Sequence, residues 1–405
     1  MLDLKKPKET ILHYRITTPM FLGGAEPKEV DATQFRNASY KGALRFWWRA
    51  TQWGCFLREA QGDVAQALRN LHHKEGALFG KASDGNDSRQ SAVCVQSTLN
   101  SPPCNKKELD TQLEGIGYLL GLGLYHFRDK ILRDYLPPSS LQVTLQYAPD
   151  LDAQDKVSIE RAAIALGLFG GLGSRSRKGL GSLSIQCLQP AQGEKQEFGT
   201  CDAIEDFIGT LDFSAPASPL PPFTAFSQAC RIDISAEGKD AIKTLKAVGD
   251  EMQLYRGYGR RNDRSGQHEV NGKPARQNFK ADHDEVLKAA QAGGAPKALP
   301  MRGVFGLPHN YFFSSNGAKM DIAPEGGGRR ASPLFIHVHA LEDGFVAIQT
   351  LLPAMFLHSS IAVEAKPGKG RVQKIASLRT NYTIIHNYLD GFKNDPAFKE
   401  LRRHG

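Results

Sequence analysis

The run Gly170-Gly171-Leu172-Gly173-Ser174-Arg175-Ser176-Arg177-Lys178-Gly179-Leu180-Gly181 holds five glycines and three cations in twelve residues, between a helical stretch and a β-rich one. Glycine admits positive φ and lets backbone amides approach a ligand. Successive amides in such turns can cradle an anion, and Arg and Lys add fixed positive charge. The ligand this suits is a phosphate, and cations in series suit a string of phosphates. Ser174, Arg175, Ser176, Arg177 and Lys178 are therefore candidate nucleic-acid contacts. The nucleotide P-loop is excluded, because Lys178 is followed by Gly179 and not by Ser or Thr. The dinucleotide fingerprint fails as well: Gly115-x-Gly117 meets its next glycine at Gly121, one residue late.

A second group lies in Tyr40–Ala50. On a 3.6-residue period Ala43, Phe46, Ala50 and Trp53 share one face, predicted to be core. Lys41, Arg45, Trp48 and Arg49 share another, where cations could hold a phosphate while an indole stacks a base. A third group spans Tyr255–Lys280, with seven cations, among them Arg260 and Arg261, against two acids, Asp263 and Glu269. Tyr255 and Tyr258 sit among those cations as flat surfaces for stacking. Gly326-Gly327-Gly328-Arg329-Arg330 precedes a predicted strand and echoes the first loop, adding Arg329 and Arg330.

Other chemistry is less well furnished. His13, His72, His73 and His283 have the right side chain for metal-independent RNA cleavage, but no partner for any of them is legible. His337-x-His339 places two imidazoles on one face of a strand without a third metal ligand. Asp282-His283-Asp284 reads as the acidic start of a helix over 284–290. Six scattered cysteines without a CxxC pair argue against a zinc cage and a disulfide framework, and are expected to be buried and reduced. No metal and no cofactor is expected. The net charge of +8 favours polyanionic partners. No apolar run is long enough for a membrane span, and the first residues lack a secretory h-region, so a soluble cytoplasmic protein without membrane contact is the expectation.

The elements that must position these groups follow from patterning. Strands are predicted at 10–17, 91–98, 141–147 and 181–187, with a helix from a Ser39 cap to about Ala60 and another over 156–169. Residues 108–134 read as a helical insertion. Without insertions the order is βαββαβ, the ferredoxin-like arrangement. Four prolines within 214–222 mark a linker, giving domains 1–213 and 223–405. The second half restarts with strand 229–235 and helix 239–253, followed later by strands 334–340 and 345–350. The two glycine–arginine loops hint at an internal duplication.

The run Lys41-Gly42-Ala43-Leu44-Arg45-Phe46-Trp47-Trp48-Arg49-Ala50 resembles a signature of the head subunits of type III-B CRISPR (Cmr) effectors, in the RAMP superfamily. Lys41 stands where that family usually has arginine. Residues 170–181 resemble the RAMP glycine-rich loop. Val304-Phe305-Gly306-Leu307-Pro308 with Gly328–Leu334 is similar to the family's C-terminal signature. The resemblance covers roughly residues 10–355. It implies an α+β fold of two tandem ferredoxin-like (RRM-like) RAMP domains with helical insertions. It also implies a non-catalytic subunit that contacts the 3′ region of guide RNA and the target RNA beside other effector subunits, in antiviral defence. Lys41, Arg45, Trp48 and Arg49, the loop cations and Arg329 and Arg330 would be the RNA contacts. The alternatives are a metal-independent RAMP endoribonuclease that processes CRISPR RNA, and a docking subunit whose cations face acidic protein.

Overall fold

The computed structural model describes residues 8–23, 35–82, 88–104, 109, 115–126, 128–235, 237–378, 380–394 and 402–404. The first half runs β1 (Glu9–Ile16), α1 (Asn37–Glu59), α2 (Val64–Phe79), β2 (Val93–Asn100), α3 (Ile116–Leu120), β3 (Ser139–Tyr147), α4 (Ala153–Phe169), β4 (Leu183–Gln189), β5 (Gln196–Glu197) and α5 (Cys201–Gly209). Its sheet has the order β2-β3-β1-β4-β5, antiparallel throughout. Period-2 alternation builds it: Ser139, Leu141, Val143, Leu145 and Tyr147 of β3 are all buried, with the residues between them more open. Helices α1 and α4 cover the apolar face and bury Tyr40, Leu44, Trp47, Ile159, Leu166 and Phe169 against it.

The second half runs β6 (Arg231–Ile234), α6 (Ala241–Arg256), β7 (Arg260–Arg261), β8 (His268–Val270), β9 (Lys273–Pro274), α7 (Lys280–Ala292), β10 (His309–Phe313), β11 (Ala318–Pro324), β12 (Leu334–Ala340), β13 (Phe345–Leu351), β14 (Val363–Pro367), β15 (Gln373–Lys374), α8 (Thr383–Asp390) and β16 (Arg402–His404). Its main sheet has the order β12-β13-β6-β16. In both halves the four long-range strands thus lie second, third, first, fourth. A separate sheet, β10-β11-β14-β15, packs on α7, and β7–β9 form a small ribbon.

The halves are joined through β12, the edge strand of the second sheet. An edge strand leaves a row of backbone groups to satisfy, and first-half residues satisfy several of them. The Ile336 amide donates to the Arg177 carbonyl at 3.2 Å. Val338 N donates to Ser182 Oγ at 3.0 Å, and Ala340 N to Ser184 Oγ at 2.9 Å. Thr17 Oγ1 donates to the Val338 carbonyl at 2.6 Å. One hydrophobic core correspondingly contains Phe169, Leu183 and Ile185 together with Phe335, Val346 and Ile348. The proline-rich stretch is tied in on both sides, with Gln228 N donating to Ala215 O and Met355 N to Pro221 O, each at 2.8 Å.

Several local expectations change. Helix α1 starts at Asn37 after Arg36, so Ser39 lies inside it and is not its cap. His72 and His73 lie on the exposed side of α2, a helix the sequence patterning does not predict; Asp63 caps it by accepting from Gln66 N at 3.0 Å. Helix α7 begins at Lys280, and Asp282 turns its carboxylate to Met301 N and Arg302 N at 3.0 and 2.9 Å, so it pins the following turn and does not cap its own helix. Of the six cysteines only Cys230 is buried, and Cys94 is exposed. Within the expected insertion, residues 108, 110–114 and 127 lie outside the described residues, and the rest holds the five-residue α3 and a short ribbon that pairs 125–126 with 130–131.

Candidate nucleic-acid interface

The α1 stripe is a carboxylate clamp. Arg45 Nε and Arg49 Nη1 both donate to Glu75 Oε1 of α2, at 2.7 and 2.5 Å, and the Glu75 side chain is only 4% exposed. Lys41 Nζ donates to Ser91 Oγ at 2.7 Å, and burial, then Arg45, lowers its pKa. Trp48 does not share the open face. It is 1% exposed, its indole N–H donates to Ser158 Oγ at 2.9 Å, and Phe56 and Phe79 meet it edge-on. The reason is geometric: α1 is flanked by α2 on one side and α4 on the other, so its buried arc is wider than one core stripe and takes in Trp47 and Trp48 together. The outer edges of Arg45 and Arg49 keep about a third of their side-chain exposure.

The glycine loop also differs from a free phosphate cradle. Four of its amides are committed to protein carbonyls: Leu172 N to Gly181 O, Ser174 N to Phe21 O, Lys178 N to Arg175 O and Gly181 N to Pro19 O, at 2.8–2.9 Å. Glycine is required where the backbone closes on itself. At Gly181, φ is +63° and a Cβ would lie 2.1 Å from Leu172 O. At these four positions the backbone is therefore occupied within the fold, and the loop's charge lies in its side chains.

Those side chains cross to the second half. Arg177 Nη1 donates to Ser332 O at 2.5 Å, and the guanidinium lies 4.4 Å over Phe335 and 5.3 Å over Phe46. Burial, and then Arg330, push its pKa down to about 10. Arg175 reaches Leu122 O at 3.2 Å, and burial with Arg329 lowers its pKa. Arg330 is held in place by reciprocal backbone hydrogen bonds with Leu307 at 2.8 and 3.0 Å. Two arginine groups more than 150 residues apart in sequence are thus brought to one seam. Lys178 points inward, with Nζ 3.5 Å from Met252 Sδ. Burial, then Arg256 and Arg175, push its pKa far down.

Arg256 and Arg302 complete the group, with Arg302 Nη1 donating to Arg256 O at 3.0 Å. Sequence reasoning counted Arg256 only as part of a basic run and missed Arg302, two residues before the Val304–Pro308 motif. Among the described residues, no carboxylate forms an ion pair with Arg175, Arg177, Lys178, Arg256, Arg302, Arg329 or Arg330. The ion pairs of the other arginines engage Arg45, Arg49, Arg58, Arg231, Arg276, Arg402 and Arg403.

The remaining candidates are dispersed. Arg260 and Arg261 are exposed on the β7–β9 ribbon, paired in register with Glu269 and His268. Ser174 is exposed and Ser176 half-buried beside the loop cations. Tyr255 is not a stacking platform; it is 8% exposed and donates to Ile384 O at 2.8 Å. Tyr258 already stacks on His283, ring to ring at 3.6 Å. His13, His72, His73 and His283 lie on β1, α2 and α7 and form no common cluster. His337 and His339 are fully buried, accepted by the Gly170 and Phe198 carbonyls at 2.6 and 2.8 Å. Burial pushes them down to about 3 and about 4. No group of three His, Cys, Asp or Glu able to hold a metal ion occurs among the described residues. Nor is any of their helices long and apolar enough to cross a membrane.

Residues 13–184 match the model of the RAMP superfamily. The match covers less than half of the chain. The chain is similar to two CRISPR system Cmr subunits of Pyrococcus furiosus. Identity to Cmr1-1 is 28% over 182 residues, covering 43% of this chain and 48% of that protein; identity to Cmr1-2 is 25% over 194 residues, covering 45% and 97%. The chain thus spans about half the length of the first of these relatives. In fold it is similar along nearly its whole length to apo Cmr1 of Pyrococcus furiosus, with a TM-score of 0.55 at 18% identity and 98% of each chain covered. A chain of the type III-B Cmr-beta complex bound to cognate target RNA is similar at a TM-score of 0.51 and 11% identity, covering 95% of this chain and 98% of that one.

Proposed function

We propose that this chain is a subunit of a type III-B CRISPR effector, and that it binds single-stranded guide and target RNA through the seam between its halves without cutting it. One observation carries the reading: seven Arg and Lys side chains converge on the seam with no carboxylate partner among the described residues. Like charges gathered without counter-ions raise the local positive potential and favour a polyanion. The similarity to Cmr1 proteins supports the assignment to such an effector. In an RNA-guided complex, base pairing reads sequence and the protein holds backbone, which matches a site made of cations and few free aromatic faces.

The domain reading belongs to the same proposal. Residues 1–213 and 223–405 are two tandem ferredoxin-like domains about the 214–222 linker, supported by the shared second-third-first-fourth strand order. The bound RNA is the 3′ part of the guide and the target beside it, and the protein works in the cytoplasm. Arg175, Arg329 and Arg330 are the main contacts, with Arg177 bracing them. Arg260 and Arg261 extend the path, and the outer edges of Lys41, Arg45 and Arg49 border it.

The test is fluorescence anisotropy of a labelled single strand against the full chain over a salt series, with the RNA length checked on a gel. Tight, salt-sensitive binding that leaves the RNA intact is expected. Shortened RNA in metal-free buffer would favour the endoribonuclease. An absence of binding at every salt concentration would favour the docking subunit.

A further inference from the structure

Beneath the seam arginines, five side chains from four segments gather into one small cluster, called here the niche: Lys178 of the glycine loop, Arg256 at the end of α6, Arg302 in the 3-10 turn Met301–Phe305, and His309 and Tyr311 of β10. The Arg302 guanidinium lies 4.9 Å from the Tyr311 ring, and the His309 ring stacks on Tyr311 at 4.6 Å. Arg256 is held 4.6 Å over Phe305. Aromatic faces and the Arg256 carbonyl thus fix both guanidiniums in orientation.

The niche is short of acceptors. Arg256 Nε and Arg302 Nε are buried without a hydrogen-bond partner, and the Tyr311 hydroxyl, on a residue 6% exposed, neighbours the Arg302 guanidinium and has no acceptor for its own proton. A buried donor without a partner is costly. The nearby acids are spent: Asp282 accepts from the backbone of Met301 and Arg302, and Glu251 is gripped by Arg276 at 2.5 and 2.9 Å. Guanidiniums do not shed their protons, so the charge here calls for an anion. Its donors, two forked guanidiniums, an ammonium, a phenol and an imidazole, match a tetrahedral oxyanion with several acceptor oxygens better than a monatomic ion. Lys178, Arg256, Arg302 and His309 are each half-buried as residues, not sealed from the surface.

We infer that the Lys178–Arg256–Arg302–His309–Tyr311 niche binds one phosphate group, and that within the RNA-binding reading, on which its biological role rests, this phosphate belongs to the bound strand. The cationic surroundings agree with it: burial together with Arg302, Arg256 and Lys178 holds the His309 imidazole far below its ordinary pKa. An arriving anion would reverse that repulsion. The phosphate is either a strand terminus or an internucleotide link, and both present the same oxygens.

The test begins with inorganic phosphate. Thermal melting of the full chain in phosphate is compared with chloride at equal ionic strength, for the wild type, Arg302→Gln and Tyr311→Phe. Tyr311→Phe removes only a hydroxyl that has no acceptor and whose neighbour is the Arg302 guanidinium, so it should fold about as well as the wild type. The expected result is a phosphate-specific rise in Tm that both variants reduce, with affinity for phosphate about tenfold weaker per lost contact. No advantage of phosphate over chloride, or a full response in both variants, would overturn the niche. RNA titrations run in parallel, with strands ending in phosphate or hydroxyl. A preference for terminal phosphate that Arg302→Gln abolishes assigns the niche to a strand end. Equal binding of both strands, weakened alike in the variant, assigns it to an internucleotide phosphate. A phosphate response without RNA binding would keep the niche and sink the RNA reading; salt-sensitive RNA binding without a phosphate response would do the reverse.

Discussion

Two groups of arginines look alike in sequence and do opposite things. On α1, Arg45 and Arg49 converge on one buried carboxylate, Glu75, so their charge is largely used within the fold. At the seam, Arg175, Arg177, Arg329 and Arg330 converge on one another, and no carboxylate among the described residues pairs with them. The first arrangement sets its charge against a buried counter-ion; the second leaves its charge without a carboxylate partner among the described residues, as the proposed binding of a polyanion requires. Cation count does not separate the two, whereas the presence of a counter-charge does.

The largest effect expected of any break in this contrast comes from the clamp. Arg45→Ala with Arg49→Ala leaves Glu75 buried and unpaired, and should cost about 3–5 kcal/mol of stability in denaturant melts. It should barely alter the salt slope of RNA binding by the protein that remains folded. At the seam the pattern inverts. Arg175→Ala, Arg329→Ala and Arg330→Ala together should lower RNA affinity about a hundredfold at low salt and reduce the logarithmic salt slope by about two, at ~0.7 per phosphate contact. The melting temperature should change little.

Acid tests the seam from below. His337 and His339 have folded pKa values depressed to about 3 and about 4 by burial, so the unfolded chain binds more protons below its own value near ~6.5. The stability they contribute is full above that pH and is lost as pH falls toward the folded values. Moving from pH 7 to pH 5 should cost about 2 kcal/mol per histidine at most. Melts at the two pH values check this, and His337→Gln, which keeps a donor for Gly170 O, should flatten the dependence. The smallest effect sharpens the comparison. Glu75→Gln removes the counter-charge and frees Arg45 and Arg49, so RNA affinity should rise about threefold while stability falls; anisotropy and melts on one preparation read both.

Much of the fold follows from local pattern. Strand 334–340 matches its expected bounds, and β3, β13 and the helices at 153–169 and 241–256 lie within a few residues of theirs: β3 alternates cleanly, β12 and β13 are short apolar runs buried on both faces, and the helices start at the side-chain caps Asp152 and Asp240. Trp48 could not be placed from one helix alone, since its burial depends on α2 and α4 flanking α1. The loop amides looked free because their acceptors, Pro19 and Phe21, lie some 150 residues away. The seam itself was invisible for the same reason: Arg175 and Arg329 belong to separate motifs, and only the edge-strand bonding of β12 to the first half brings them together. Arg302, His309 and Tyr311 carried no periodic signal; a cation two residues before the Val304–Pro308 motif was the one available hint.

The measurement that bears most directly on this contrast is the salt dependence of single-stranded RNA affinity for the wild type, the clamp double variant and the seam triple variant, side by side. A slope that the seam variant lowers by about two and the clamp variant leaves unchanged is the predicted result. Equal slopes for the wild type and the seam variant, or a loss confined to the clamp variant, would contradict it.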